Sequence, residues 1–325
     1  MKKRLTEFRA GLFPVERNHL LTLSAFSLAY IIWTTLVVGF RQDHFVFLLF
    51  IACMLFIHRW TRALAYSFVF FTLFWIIYDS MRILPNYMVN PVHVMEPYLL
   101  EKSLFGIRTD SGILTPNEFF EKYSSGLLDF ISGFFYLTWV PVPMALGIYL
   151  FARDKKMLLS FSGAYLFTNL VGFLIYYMYP AAPPWYVAKY GNQQLFDIPG
   201  DAARLIYFDQ MAGYPIFQSM YVRNSNVFAA IPSLHAAYPV VTWFYARKEK
   251  LKWPTILIFI DILGIWFAAV YSGHHYVIDV LLGFLCAVTG IAIYEKWLMQ
   301  TRFSAWLDRY VSFIHRSQKR MSRQA

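Results

Sequence analysis

The chain is short of charge. Only 15% of its 325 residues are Asp, Glu, Lys or Arg, where a soluble domain carries about 25%. A water-soluble globule of this size is therefore excluded. Cysteine is scarce too. Cys53 and Cys286 both lie in apolar runs, so neither a disulfide framework nor a cysteine metal site is expected. Acidic residues are outnumbered, 19 against 29 basic, for a net charge of +10. No zinc, helix-turn-helix or RNA-binding motif accompanies that excess, so it gives no ground for a nucleic-acid partner. Internal repeats and low-complexity tracts are missing. The first apolar run is too long for a signal-peptide core and lacks an Ala-x-Ala exit, so it reads as a retained span.

What is present is hydrophobic residue, 58% of the chain, with 20% aromatic, gathered in long runs. The fold expected is all-α, a polytopic membrane helix bundle. Eight spans are expected, at about 20–39, 44–57, 63–79, 128–151, 159–179, 232–246, 254–271 and 277–298. The second is short for a hydrocarbon core about 30 Å thick and is expected to tilt or to form part of a hairpin. Most Lys and Arg fall in the N-terminal tail, around Arg59 and Arg62, at Arg153–Lys156, at Arg247–Lys252 and beyond Lys296. The positive-inside rule then places both termini in the cytoplasm. Residues 1–60 form a tail and first helical hairpin, 61–300 the main membrane domain, and 301–325 a basic cytoplasmic tail. On this reading Tyr179, Pro232 and the 271–277 link share the opposite face.

Two of those places carry chemistry. In Ser272-Gly273-His274-His275-Tyr276-Val277-Ile278-Asp279, two imidazoles and a carboxylate stand at the mouth of an apolar run, where ionisable groups are costly. His275 and Asp279 are four apart, one helical turn, so the carboxylate can hold one ring N–H and leave the other nitrogen as nucleophile or base. The plainer alternative is a polar pair anchoring a helix end. Upstream, Ala230-Ile231-Pro232-Ser233-Leu234-His235 opens another apolar run. Pro232 suits a first turn, Ser233 can cap it, and a helix start is an anion site. His235 stands where a general acid for a phosphate ester belongs.

Other candidates are weaker. Arg82 either reaches the phosphate or pairs with Asp79 three residues back. Arg223 precedes the Pro-Ser-Leu-His stretch, and arginine clamps phosphate well. His274 either binds a lipid headgroup or is bland. Asp261 is an acid inside the seventh span. The 80–127 loop, with a capping box at Thr115 and Glu118, is either a lid or an interfacial packing loop. The aromatic-rich loop from 186 to 222 is read as a cap over the site, against an aromatic belt at the membrane surface.

Three ordered motifs carry a resemblance. They are Tyr179-Pro180-Ala181-Ala182-Pro183-Pro184-Trp185, Phe228 to His235, and His274-His275-Tyr276 with Asp279. Together they resemble the type 2 phosphatidic acid phosphatase (PAP2) superfamily, and within it the inositol phosphorylceramide synthase branch, across roughly residues 160 to 298. The chain departs from the phosphatases in two places. It has no Lys-x6-Arg-Pro near Tyr179, and Gly273 stands where they carry an Arg.

The resemblance implies a six-helix catalytic core and phosphoryl transfer through a phosphohistidine. His275 is the nucleophile, Asp279 orients it, and His235 is the acid and then the base. Ser233, Arg223, Arg82 and His274 are the candidate substrate contacts. No metal or cofactor is expected. The implied donor is a phosphatidylinositol-like lipid and the acceptor a ceramide-like alcohol. The expected location is a bacterial inner membrane with the site on the periplasmic face, or the Golgi lumenal face in a eukaryote. The alternatives are a phosphatase acting on lipid phosphates or polyprenyl pyrophosphates, and a lipid transporter without catalysis.

Overall fold

The computed structural model describes residues 17–196, 198–222 and 226–318. The N-terminal lead-in, Arg223 and the end of the basic tail lie outside the described residues. The chain divides into two compact units, one holding residues 1–83, 150–162 and 297–325, the other 84–149 and 163–296.

The first unit begins with α1 (Arg17–Trp33), which runs on to Val38 as a 22-residue apolar span. Next come α2 (Gln42–Phe56), α3 (Arg59–Ser67) and α4 (Val69–Ser80). Asp79 is the polar hub of this unit. Its carboxylate takes Arg41 at 2.5 Å, His44 at 2.9 Å and Arg82 at 3.5 Å. The pairing weighed for Arg82 and Asp79 is thus present.

The second unit opens with α5 (Met95–Phe105) and a small antiparallel hairpin, β1 (Ile107–Thr109) with β2 (Gly112–Leu114), Ile107 opposite Leu114. Thr115 then caps α6 (Pro116–Lys122). Its side chain accepts from Glu118 N, and Glu118 Oε2 accepts from Thr115 N at 2.7 Å. This is the reciprocal cap expected from Thr-x-x-Glu. After it come α7 (Gly126–Leu137), α8 (Pro141–Arg153) and α9 (Lys155–Met178), of which the end of α8 and the start of α9, residues 150–162, belong to the first unit. Prolines at 180, 183 and 184 deny backbone donors and end α9's path. The following loop folds into α10 (Pro184–Tyr190), α11 (Ile206–Ala212) and α12 (Ile216–Tyr221). Tyr186, Phe208, Phe217 and Tyr221 are buried there, while Phe196, Tyr207 and Tyr214 stay exposed. Much of the loop's aromatic content is therefore core, which favours a cap over a belt.

Three helices close the second unit: α13 (Leu234–Lys248), α14 (Lys252–Tyr271) and α15 (Val277–Ala292). α13 packs against both others, and α14 packs on α7. The outward sides of α14 and α15 leave Leu257, Phe259, Leu263, Leu282 and Leu285 exposed, where acyl chains can cover them. α16 (Arg302–Gln318) returns to the first unit, where Tyr310 Oη donates to Tyr66 O at 2.9 Å.

Among the described residues, five helical segments are long and apolar enough to cross a membrane: 17–38, 126–153, 155–178, 252–271 and 277–300. A sixth appears if α3 and the segment from Val69 to Ile83, bent by 56°, count as one. This is an integral membrane protein built of helices. The expected eight spans reduce to five or six by length and composition, for physical reasons. α2 has 15 residues, about 22 Å at 1.5 Å per residue, against a core about 30 Å thick. α13 also has 15 and carries Pro239 inside it.

Candidate active site

α14 ends in a turn that the sequence makes possible at one residue. Gly273 has φ +76°, a left-handed conformation that costs glycine least. With the chain reversed there, the amides of His274 and His275 both return to Ala269 O, at 3.2 and 3.0 Å. Tyr276 is extended and α15 begins at once. The link is thus a tight corner between two membrane helices, with both histidines in it.

The corner is pinned from several directions. Trp185 N donates to Gly273 O at 2.9 Å and Arg204 N to Ser272 O at 3.3 Å. Asn117 Nδ2 donates to Val270 O at 2.7 Å and to His275 O at 2.9 Å. Glu101 accepts from Val277 N at 2.9 Å and from Ile278 N at 3.2 Å. The cap of α13 joins in, since Ser233 N donates to Asp279 O at 2.9 Å. Ser233 Oγ takes Ala236 N, so the serine is the cap, and Pro232 lies one residue before it rather than in the first turn.

His275 Nδ1 faces the carbonyl of Ala230 at 3.1 Å and Asp279 Oδ2 at 3.5 Å. Both oxygens only accept, so Nδ1 carries the hydrogen and Nε2 keeps its lone pair. The nearer partner is the carbonyl. Asp279, with no solvent exposure, also accepts from Tyr276 N at 2.8 Å, while its Oδ1 has no hydrogen-bond partner among the described residues. Burial pulls the pKa of His275 down to about 4, against the opposing bond to Ala230. At neutral pH the ring is therefore neutral, the form a nucleophile requires.

His235 is the second residue of α13. Its ring centre lies 5.8 Å from that of His275, 5.0 Å from Tyr136 and 4.9 Å from Trp139. Two imidazoles at this separation can touch one phosphate ester from opposite sides. His274 turns elsewhere. Its Nε2 donates to Asp201 O at 3.2 Å, its Nδ1 lies 3.0 Å from Ser272 Oγ, and its ring rests 4.3 Å from that of Tyr221. Burial, with His275 and His235 beside it, holds its pKa down to about 3. Both nitrogens are engaged within the protein, and the ring ties the aromatic loop to the corner.

The structure brings His235, His275, Asp279 and Ser233 together. Arg82 sits in the first unit beside Asp79, and Arg223 lies outside the described residues. Arg204, whose amide reaches the corner, has its Nε 2.7 Å from Asp129 and its Nη1 3.5 Å from Glu121. A cavity of about 920 Å³ lies against the corner, lined in part by Asn117, Trp185, Lys189, Arg204, Gly273 and Tyr276. His235, His275 and Asp279 are not in its lining. In the first unit Asp43, His44 and Asp79 come close enough to share a metal ion, but Arg41 already bridges the two carboxylates at 3.0 and 2.5 Å. Sequence reasoning missed Glu101 and Asn117. The capping box beside Asn117 was legible, but no local signal tells which remote backbone groups a side chain will meet.

Comparison with known proteins gives the class first. The PAP2 superfamily profile matches residues 115–293, more than half of the chain, and the protein belongs to that superfamily. Within it the chain is 44% identical, over 92% of its own length and 99% of the relative's, to the phosphoinositol dihydroceramide synthase of Bacteroides thetaiotaomicron. It is 29% identical to the inositol phosphorylceramide synthase of Candida albicans over 51% of this chain and 36% of that one. The catalytic subunit of the Saccharomyces cerevisiae enzyme is 31% identical over 36% of this chain and 29% of its own. No solved structure matches.

Proposed function

We propose that the protein is a membrane phosphotransferase that moves phosphoinositol from an inositol phospholipid to the primary hydroxyl of a ceramide-type lipid. The observation that carries this reading is end-to-end similarity to a relative named for that activity, joined to a neutral His275 facing His235 across a ring-centre distance of 5.8 Å. His275 Nε2 attacks phosphorus and the bond to the diacylglycerol oxygen breaks. Burial and the neighbouring His275 hold the pKa of His235 down to about 3, so it is the anionic phosphate of the bound donor that brings a proton onto this ring. His235 gives that proton to the oxygen, and diacylglycerol leaves. The helix start at Ser233 meets the phosphate oxygens with backbone N–H groups. The phosphorylated ring is cationic, and the Ala230 carbonyl and the Asp279 carboxylate face its Nδ1–H. The acceptor hydroxyl then attacks phosphorus, His235 takes its proton, and the N–P bond breaks. His275 is neutral again and His235 is ready for another donor. Apolar walls and the aromatic cap keep water from the phosphohistidine until the acceptor arrives.

Arg247, Lys248, Lys250 and Lys252 lie where α13 ends and α14 begins, at the helix ends away from the His274–His275 corner. This supports cytoplasmic termini with the site on the opposite face, and the likeness to a bacterial relative favours the periplasmic face of an inner membrane. The test is to reconstitute the purified protein with labelled phosphatidylinositol, with and without ceramide, and to separate the lipids. A labelled sphingolipid that depends on ceramide is expected. Inositol phosphate released at one rate with or without ceramide, or phosphate released efficiently from phosphatidate, moves the protein to the phosphatase class.

A further inference from the structure

We infer that Glu101 and Asn117 are positioning residues for the transfer reaction, setting the angle at which His275 and Asp279 meet the phosphate. The inference rests on His275 being the nucleophile and adds to the site two residues from the 95–122 segment. That segment is neither a free lid nor simple packing. It reaches across more than 150 residues of chain to fasten the catalytic corner.

The start of a helix leaves backbone N–H groups without intrahelical partners, and a local Ser, Thr, Asp or Asn at the cap ordinarily takes them. α15 has Tyr276 at its cap, with no side-chain cap bond. Its first-turn acid, Asp279, takes the Tyr276 amide and faces His275. The amides of Val277 and Ile278 are left over, and Glu101 takes both. Glu101 is completely buried, and no cation is paired with it among the described residues. A buried carboxylate is costly unless hydrogen-bonded. Burial raises its pKa and the two amide bonds pull it back. Its partners are the two residues that separate His275-Tyr276 from Asp279. By capping the helix from outside, Glu101 leaves Asp279 facing the imidazole.

Asn117 acts on the other side of the corner. Its one amide group donates to the carbonyl of Val270, before the Gly273 turn, and to that of His275, after it. Rotating the His275 peptide, and the imidazole with it, requires breaking that bridge. A glycine in a left-handed turn gives the chain freedom at this point, and the bridge takes the freedom away. A displacement of the reacting group of about 1 Å can cost about 100-fold in rate.

The experiment is steady-state transfer from phosphatidylinositol to ceramide in proteoliposomes, using full-length Glu101→Ala, Glu101→Gln, Asn117→Ala and His275→Ala proteins that elute as folded. For Glu101→Ala and Asn117→Ala the expected result is a kcat lower by about 10- to 100-fold, with both KM values within about three-fold of the parent. Glu101→Gln keeps one acceptor and should recover part of the kcat, as general loosening of the fold does not predict. Wild-type kcat in either folded alanine variant overturns the inference, as does a loss confined to KM. If Glu101→Ala does not fold, Asn117→Ala, which removes no charge, decides. His275→Ala separates the two levels. Activity there sinks the assignment of the nucleophile itself, whereas an inactive His275→Ala beside a normal Asn117→Ala sinks only the positioning role.

Discussion

At the residue scale, the hydrogen-bond donors and acceptors around His275 set its chemistry. Because Ala230 O lies nearer to Nδ1 than Asp279 does, the tautomer has two supports. Asp279→Asn should therefore leave a folded protein whose turnover falls by roughly 100-fold or more, short of the 10⁴-fold seen where a carboxylate alone fixes the tautomer. Unchanged turnover in the purified variant removes the carboxylate from the account. The two histidines should also separate. Without His235, a donor with a leaving group that needs no proton should still phosphorylate His275. If such a donor labels His275→Ala as well as the parent, another residue is the nucleophile. Acid adds a further test. His274 and His275 have pKa values of about 3 and about 4 in the fold, against about 6.5 in an unfolded chain. The unfolded chain binds these protons first, so stability present above about pH 6.5 is lost as the pH falls toward 4. His274→Gln should flatten that decline when melting temperature is followed against pH. An equally steep decline in the variant would show that this ring is not responsible.

At the element scale, the site exists because α13 and α15 approach closely. A Cβ added at Gly283 would stand 2.2 Å from Ser233 O and 3.2 Å from Ala236 Cβ. The first of these is backbone, which cannot rotate away. Gly283→Ala must therefore push the Ser233 cap from the helix that carries Asp279, four residues earlier. Overpacking of this kind costs about 1–3 kcal/mol, and the cost falls on the geometry that joins His235 to His275. Transfer activity should drop more than about ten-fold, by analogy with small displacements elsewhere, while the protein stays folded. Normal activity in Gly283→Ala would mean that the two helix starts tolerate separation.

At the scale of the whole molecule, the proposed orientation rests on the placement of Lys and Arg. With Cys53 replaced by Ser, a cysteine at Tyr214, exposed in the aromatic loop, should react with a membrane-impermeant thiol reagent from the periplasmic side. A cysteine at exposed Lys250 should react only after the membrane is opened. The reverse pattern overturns the orientation and, with it, the compartment in which the chemistry takes place. The helices also differ in how far composition alone accounts for them. α14 and α15 are largely apolar, interrupted within their spans by Asp261 and Asp279. α13, which carries His235, is short, interrupted by Pro239, and sheathed by its neighbours, with Ala236, Ala237, Val241 and Ala246 fully buried.

The sequence by itself determined the membrane class, the helical fold, the family, and the three motifs that supply His235, His275 and Asp279. These follow from short-range facts: long apolar runs, i to i+4 spacing, a Thr-x-x-Glu cap, and a proline-rich exit after Tyr179. Of its eight expected spans, five or six meet the length and composition of a membrane helix among the described residues, because an apolar run announces burial without saying whether lipid or protein covers it. α2 and α13 are too short to span on length and composition, and α3 and α4 bend. Only the tertiary structure decided which groups hold the His274–His275 corner. Glu101, Asn117, Asp201 and the Ala230 carbonyl show no local pattern, since a hydrogen bond between residues far apart in the chain depends on where the whole backbone brings them. It also engaged the candidate Arg82 with Asp79 in the first unit and brought Arg204, which sequence reasoning did not single out, to Asp129. A guanidinium is free for a phosphate only when folding leaves no carboxylate beside it, and residue order alone does not contain that information.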